Sequence, residues 1–492
     1  MEISLLAKQN PWWAKKESIN EDPKLKDFSN APVKWKPRIA KYMPLDRDVI
    51  YSLRGPRQVG KTTLTKILIK DMLEKGTNPI DIFYYACDLV RTPAILYDIL
   101  ESYYDWNRGL SNARICIFLD EMSAVKGWQL ALKRFVDQYG NANITFFLTS
   151  SHSIDIERSI ERLPGRTGEK EAISTHKVLL PMKFAEYVEL RCPQIYSKIK
   201  EYKLEDNTLR SKEFMLLALG KEPDSLRAIL PFVKDMDAVL DEYLMTGGIM
   251  FVVNSFVSTK HIPQTMYELY VRQVMGDISK VGREEMTAKQ IIASFVKRIG
   301  SRTSWLNIAK ENGIPSPVTI PQYAHILKSM FLINIFHKID EKMMPKEASD
   351  KKVHMANPFI FHALRSWSLN PAGDSFNASI EFLSATENKS KLVEGVVGDH
   401  LARAAFNLKP SDVFDVSSSI FYWMTKKGQE LDFILKHEGK AYAFDVCYQN
   451  SISSGDYIAL RKFGGGCMVS KNTFVVSGNT ITIPLSLFLL YI

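Results

Sequence analysis

The sequence predicts an α/β fold, and three observations predict it. An apolar, β-rich run, VIYSL at 49–53, is followed by a glycine-containing loop and then by Leu64, Ile67 and Leu68 at helical spacing. A second run, Ile115–Leu119, ends in the acidic pair Asp120 and Glu121, and a third, NITFFLTSS at 143–151, ends in hydroxyls. Together with IFYYACDL at 82–89, these give at least four short strands separated by helical segments, the pattern of a parallel sheet that binds its ligand at the carboxyl edge of the strands.

The loop after the first strand reads Gly55, Pro56, Arg57, Gln58, Val59, Gly60, Lys61, Thr62, Thr63. Its GxxxxGKT spacing is that of a phosphate-binding P-loop. Glycines let successive backbone amides turn inward onto phosphate oxygens, and the helix that follows points the positive end of its dipole at the anion. Lys61 is expected to reach the β and γ phosphates of ATP, and Thr62 to hold Mg²⁺.

A P-loop requires an acidic strand end on the same sheet, and ARICIFLDE supplies it. Asp120 is the expected partner of Mg²⁺, and Glu121 the group that polarises the attacking water. Thr149, Ser150 and Ser151 end the next strand at the same edge as candidate sensors of the γ-phosphate. Arg166, in RLPGRTGE, is a candidate arginine finger acting within the chain or from a second copy, and a solvated surface arginine is the alternative.

The bulk properties fit such a protein. At 492 residues the chain is too long for one core and is expected to form about three domains. Apolar residues make up 46% and charged residues 24%, without low-complexity tracts, which argues against extended disorder. The net charge of +9 is compatible with a polyanionic partner such as DNA, although many basic proteins have none. Five scattered cysteines without CxxC spacing suggest neither a disulfide framework nor a zinc ribbon. The N-terminal residues hold no long apolar run, and ITIPLSLFLLYI at 481–492 is too short to span a bilayer, so it is expected as a buried strand or helix of a cytoplasmic protein without a membrane partner.

NPWW near the start, GPRQVGKTTL, IFLDE, LTSS, LPGR followed by LLPMKFAEY, and EYLMTGG at 242–248 come in an order that resembles the archaeal and bacterial AAA+-like ATPases in which a C-terminal nuclease-like domain of unknown function follows the ATPase. The resemblance covers nearly the whole chain. It implies a P-loop parallel sheet, then a helical lid that covers the nucleotide and moves with its state, with homo-oligomers as a further possibility. The implied boundaries are an N-terminal extension at 1–47, the ATPase core at 48–180 and the lid at 181–284, with Gly247 and Gly248 ending a helix.

From 285 to 345, three helical patterns and then an apolar strand give the order of a winged helix. Asn312 and Gly313 make its turn. Gln322, His325 and Lys328 on its third helix form a modest set for DNA phosphates, and packing without DNA is the competing role. A connector is expected at 346–385, with NPAGDSFNAS at 370–379 as linker or loop.

The remaining segment, 386–492, reads as a helix followed by a three-stranded meander with turns at Lys427–Gly428 and Glu438–Gly439. Glu394 on the helix, Asp432 on the second strand and Asp445 on the third resemble the PD-(D/E)xK nuclease core, in which carboxylates hold Mg²⁺ or Mn²⁺. The lysine of that pattern is replaced by Cys447, which carries no persistent cation, so a core without efficient cleavage is expected. Lys440 is a conceivable substitute, but its odd spacing from Asp445 turns it to the other face of the strand. The favoured function is an ATPase coupling nucleotide state to domain movement in association with nucleic acid. A nucleotide-dependent switch binding protein partners and an ATP-controlled nuclease are the alternatives.

Overall fold

The β-branched and aromatic residues Val49, Ile50 and Tyr51 open strand β1 (Val49–Arg54), which is buried along its whole length in the computed structural model; this describes residues 1–140, 142–151, 175–371, 373–409 and 414–492. Four further strands, β2 (Ile82–Ala86), β3 (Ile115–Asp120), β4 (Ile144–Ser150) and β5 (His176–Val178), join it in one sheet of order β2-β3-β4-β1-β5. Every pairing is parallel. The helices Lys61–Glu74, Pro93–Arg108 and Trp128–Tyr139 connect the strands and cover the faces. The chain falls into two units, of which Met1–Leu180 is the first.

Strand β2 lies at the edge of this sheet, where unpaired backbone groups would invite another strand. Side chains of the N-terminal segment satisfy them instead. Asn10 Nδ2 donates to Tyr84 O at 2.9 Å, and Tyr84 N donates back to Asn10 Oδ1 at 2.7 Å. Gln9 Oε1 accepts from Ala86 N at 2.8 Å, and the indoles of Trp12 and Trp13 both donate to Ile82 O. NPWW therefore performs a structural task, standing in for a sixth strand.

The residues from Pro181 onward form the second unit. Its sheet has nine strands in the order β13-β14-β12-β11-β10-β9-β7-β8-β6. These are β6 (Arg302–Thr303), β7 (Ile333–Ile339), β8 (Pro345–Met355), β9 (Ile420–Met424), β10 (Glu430–His437), β11 (Lys440–Cys447), β12 (Gly466–Ser470), β13 (Val475–Ser477) and β14 (Thr480–Pro484). Helices Glu285–Lys297, Trp305–Glu311 and Thr319–Ser329 precede β7, and β8 pairs antiparallel with both β6 and β7. Strands β9, β10 and β11 form an antiparallel meander, after which the helix Ile458–Phe463 leads to β12, parallel to β11. The two parts are continuous because β7 pairs in parallel with β9.

The segment expected as a connector, 346–385, contributes to this continuous sheet. Most of β8 and the helices Pro358–Leu369 and Ser375–Ser384 lie there, so it is built structure. The polar run EASDKK hid the strand because its first half is exposed. NPAGDSFNAS is likewise no simple linker: Asp374 accepts from Asn377 N at 2.8 Å and starts a helix within it. The terminal apolar run forms β14 and the helix Leu485–Leu490, buried throughout. Among the described residues, no helix is long and apolar enough to cross a membrane.

The motifs LPMKF, YLMTGG and DHLAR meet in a buried polar hub of this unit. Met182 N donates to Gly248 O at 3.1 Å, and Tyr243 Oη donates to Met182 O at 3.1 Å. Arg403 bonds Pro181 O at 2.6 Å and Asp399 at 2.8 Å, while His400 Nε2 accepts from Phe184 N at 3.2 Å. Gly248 has φ +68°, and a Cβ there would lie 2.2 Å from Met182 O, so close approach as well as helix termination selects glycine.

Replacing Asn10 by Ala leaves both backbone groups of Tyr84 unpaired at the edge of β2. The expected loss is about 1–3 kcal/mol, read as a lower urea midpoint at unchanged slope; an unaltered midpoint would show that the cap contributes nothing.

Candidate nucleotide site and acidic cluster

The parallel register brings the carboxyl ends of β1, β3 and β4 to one edge, with Leu53 opposite Thr149 and Arg54 opposite Ser150. From β1 the chain enters the P-loop at Gly55, where a Cβ would sit 2.0 Å from Leu179 O, closer than any side chain permits. Gln58 (φ +61°) and Gly60 (φ +98°) turn the loop through left-handed conformations into the helix at Lys61. No side chain caps that helix, so its first amides keep their capacity to bind an anion. Lys61 is buried, and its ammonium donates to Gly55 O and Pro56 O, both at 2.8 Å. Thr62 and Thr63 are half-buried at the helix start, between Lys61 and Leu64. Pro56 and Val59 complete the loop, with Val59 in the core beneath it.

Asp120 and Glu121 stand opposite. Both oxygens of Asp120 are engaged: Oδ1 accepts from the Thr149 hydroxyl and Oδ2 from Tyr84 Oη at 3.1 Å. Glu121 has φ +55° and donates its backbone N–H to Thr149 Oγ1 at 2.9 Å. Its carboxylate accepts from Ser123 at 2.6 Å and Ser151 at 2.7 Å, and pairs with Arg57 of the P-loop at 3.3 Å. Burial alone would raise the Glu121 pKa. The charges of Lys61 and Arg57, helped by the two serine hydroxyls, outweigh it and hold the carboxyl below its ordinary value.

The structure thus gathers Arg57, Lys61, Asp120, Glu121, Thr149 and Ser151 at one strand edge. Ser150 is fully buried in β4 beside them. Arg166 lies outside the described residues. Tyr84 and Ser123 escaped the sequence reading. Tyr84 is an aromatic residue inside an apolar strand, and its packing under the Lys66 ammonium, 3.3 Å from the ring centroid, depends on a contact between distant segments. Ser123 was within reach of inspection, two residues beyond Glu121 in sequence.

The second cluster lies where β8, β10 and the helix Thr386–Leu408 approach. Lys352 of β8 is 2% exposed, and its Nζ bonds Glu394 Oε1 at 2.8 Å, Asp432 Oδ1 at 2.8 Å and the Glu430 carboxylate. Glu430 also pairs with Arg302 at 3.2 Å, and His354 Nε2 stands 3.3 Å from Glu394. Asp432 Oδ2 accepts from Val446 N at 3.0 Å, while Asp432 N donates to Asp445 Oδ1 at 3.4 Å. Burial works against the Glu394 carboxylate, yet Lys352 and His354 hold its pKa at about 2. Burial and the neighbouring Asp432 push Asp445 well above the carboxylate range. Lys352 is raised well above its ordinary value because Asp432, Glu394 and Glu430 together overcome its desolvation.

Sequence reasoning grouped Glu394, Asp432 and Asp445, with Glu430 two residues from Asp432 on the same strand face, but missed Lys352 as the cation. Lys440 is exposed at the start of β11, and Cys447 accepts from Gln449 at 3.0 Å, so neither supplies the charge. The available signal was KKVHM at 351–355, lysines running into a buried strand end. Among the described residues, no group of three His, Cys, Asp or Glu side chains is disposed to hold a metal ion. On the third helix before β7, Gln322 and His325 are exposed, whereas Lys328 is paired with Asp415 at 2.6 Å.

Comparison with known proteins assigns these regions separately. Residues 389–488 match a domain of unknown function, DUF4143, and residues 237–370 another, DUF8612. An uncharacterized protein of Methanocaldococcus jannaschii, MJ1637, is 24% identical over 336 residues, which cover 66% of this chain; the chain spans 63% of the length of that relative. Among solved structures, the Aeropyrum pernix ORC1 protein in complex with DNA is 12% identical, with 76% of this chain and 94% of that chain covered and a TM-score of 0.29. The Thermotoga maritima RuvB Holliday junction branch migration motor is 14% identical, with coverages of 68% and 94% and a TM-score of 0.23. Residues 47–188, which hold the five-stranded sheet and its phosphate loop, match the family described as an AAA domain.

Proposed function

We propose that the chain is an ATP-hydrolysing, AAA-type P-loop ATPase that couples nucleotide state to movement of the segments after residue 180, works in association with nucleic acid, and carries a degenerate nuclease-like core. One observation carries the ATPase reading: Arg57 of the phosphate loop is bonded to Glu121 of the acidic strand end, so the two motifs share one site.

Each residue then has a task. The Lys61 ammonium, which now bonds the Gly55 and Pro56 carbonyls, exchanges those dipoles for β and γ phosphate oxygens, and the loop amides and helix start hold the rest of the polyphosphate. Thr62 and Asp120 offer the hard oxygen donors that suit Mg²⁺, which when bound neutralises phosphate charge. Glu121, kept ionised by its neighbours, orients the attacking water. Thr149 and Ser151 bond Asp120 and Glu121 directly and so are placed to register the γ-phosphate. Arg166 is proposed as the arginine finger.

Two features support the coupling and nucleic-acid parts. Leu179 N donates to Arg54 O at 2.7 Å next to the P-loop, and two residues later Pro181 O is held by Arg403 in the polar hub. A change at the loop therefore has a short covalent route onward. The order of three helices and three antiparallel strands between 285 and 355 is that of a winged helix, on which Gln322 and His325 are exposed. The helix–meander–helix–strand order from 386 to 470 supports the nuclease-like reading.

ATP turnover with and without single- and double-stranded DNA at low salt tests the reading. Stimulation by DNA is expected, whereas no DNA affinity would favour a protein-binding switch. Lys61→Ala is expected to abolish ATP hydrolysis, and normal turnover by this variant would refute the site. Glu121→Gln should retain ATP binding while lowering kcat about 10²-fold or more. The positive charge of Arg57 depresses the Glu121 pKa, so in Arg57→Gln that pKa rises and the acidic limb of the kcat–pH profile moves to higher pH. A limb that stays in place would exclude Glu121 as the titrating base.

A further inference from the structure

The nuclease-like reading of the C-terminal core calls for a divalent ion among Glu394, Asp432 and Asp445, and the residues do not fit one. An ammonium group has three N–H donors. In Lys352 each meets a different carboxylate, those of Glu394, Glu430 and Asp432, so no donor remains to position a water. The same oxygens would be the ligands of a metal at 2.0–2.6 Å, and one place cannot hold both cations. Burial beside Asp432 raises the pKa of Asp445, the remaining acid, well above the carboxylate range, which weakens it as a metal ligand.

We propose that Lys352 is the resident cation of this cluster, occupying the place a divalent metal takes in an active core, and that it ties β8 to β10 and to the helix Thr386–Leu408. The lysine replaced by Cys447 has thus been succeeded by one from another strand with a different task. A catalytic lysine stands beside the metal, whereas Lys352 supplants it. Metal-dependent phosphodiester cleavage is absent from such a core, and its charge balance comes from the chain itself. The inference rests on the nuclease-like reading only for the choice of ion, and it is independent of ATP turnover.

The test is a Mn²⁺ titration of nucleotide-free, EDTA-treated full-length protein, followed by the electron paramagnetic resonance signal of free Mn²⁺ and by thermal unfolding. Wild-type protein is expected to show no saturable Mn²⁺ site that Asp432→Asn removes. Lys352→Met, which keeps the length and loses the charge, is expected to unfold at lower temperature, to gain one Mn²⁺ site at least ten-fold tighter than any in the wild type, and to recover about 5 °C or more in Tm with saturating Mn²⁺. Asp432→Asn in the Lys352→Met background should abolish that gain. A wild-type Mn²⁺ site lost in Asp432→Asn would overturn the proposal, as would a Lys352→Met protein that neither binds Mn²⁺ nor recovers stability with it, including one that stays unfolded in its presence. Failure of ATP hydrolysis, by contrast, would leave every one of these readings unchanged and would count against the ATPase alone.

Discussion

A charge withdrawn from water must be met by opposite charge or by oriented oxygens, since desolvating an ammonium costs several kcal/mol. Lys61, Lys66 and Lys352, three of the buried lysines among the described residues, meet the constraint in three ways. Lys61 is met by two backbone carbonyls of its own loop, an arrangement easily exchanged for phosphate. Lys66, one helical turn onward, is met by Asp22 at 3.3 Å and by the face of Tyr84, and burial still pulls its pKa down. Lys352 is met by three carboxylates and is held charged. Dipoles suit a group that must change partners, and a full set of carboxylates suits one that must not.

The Lys66 arrangement joins the N-terminal segment to the nucleotide site. Tyr84 is bonded through its backbone to Asn10, carries the Lys66 ammonium on its ring, and donates its hydroxyl to Asp120. Its phenol is kept protonated by burial and by the charge of Asp120, so it can act only as a donor toward that carboxylate. A segment with no phosphate-binding motif thereby helps to orient an acid at the heart of the site.

Legibility followed locality. The P-loop was readable because strand, turn and helix are contiguous and each glycine has a steric reason, as the approach of Leu179 to Gly55 shows. The acidic strand end and the hydroxyls of β4 were readable because parallel strands of one sheet bring like ends together. Lys352 was not, because its partners lie 42 and 80 residues away and the sheet brings them together only through the parallel junction of β7 with β9. LPMKF and YLMTGG could be read in the sequence only by their order, and in the fold their backbones bond one another around Met182 and Gly248. The helix at Ser375 was missed because Asp, Ser and Asn serve loops and helix starts alike.

The junction of β7 with β9 also bears on how the chain reaches its native state. Until the residues near 420 exist and fold back, the β6-β8-β7 ribbon ends in an open, partly apolar strand, and the helices before it wait on partners still to be made. Emergence from the ribosome thus leaves a window in which a sticky border is uncovered, and any abbreviated product ending ahead of that return would keep it uncovered for good.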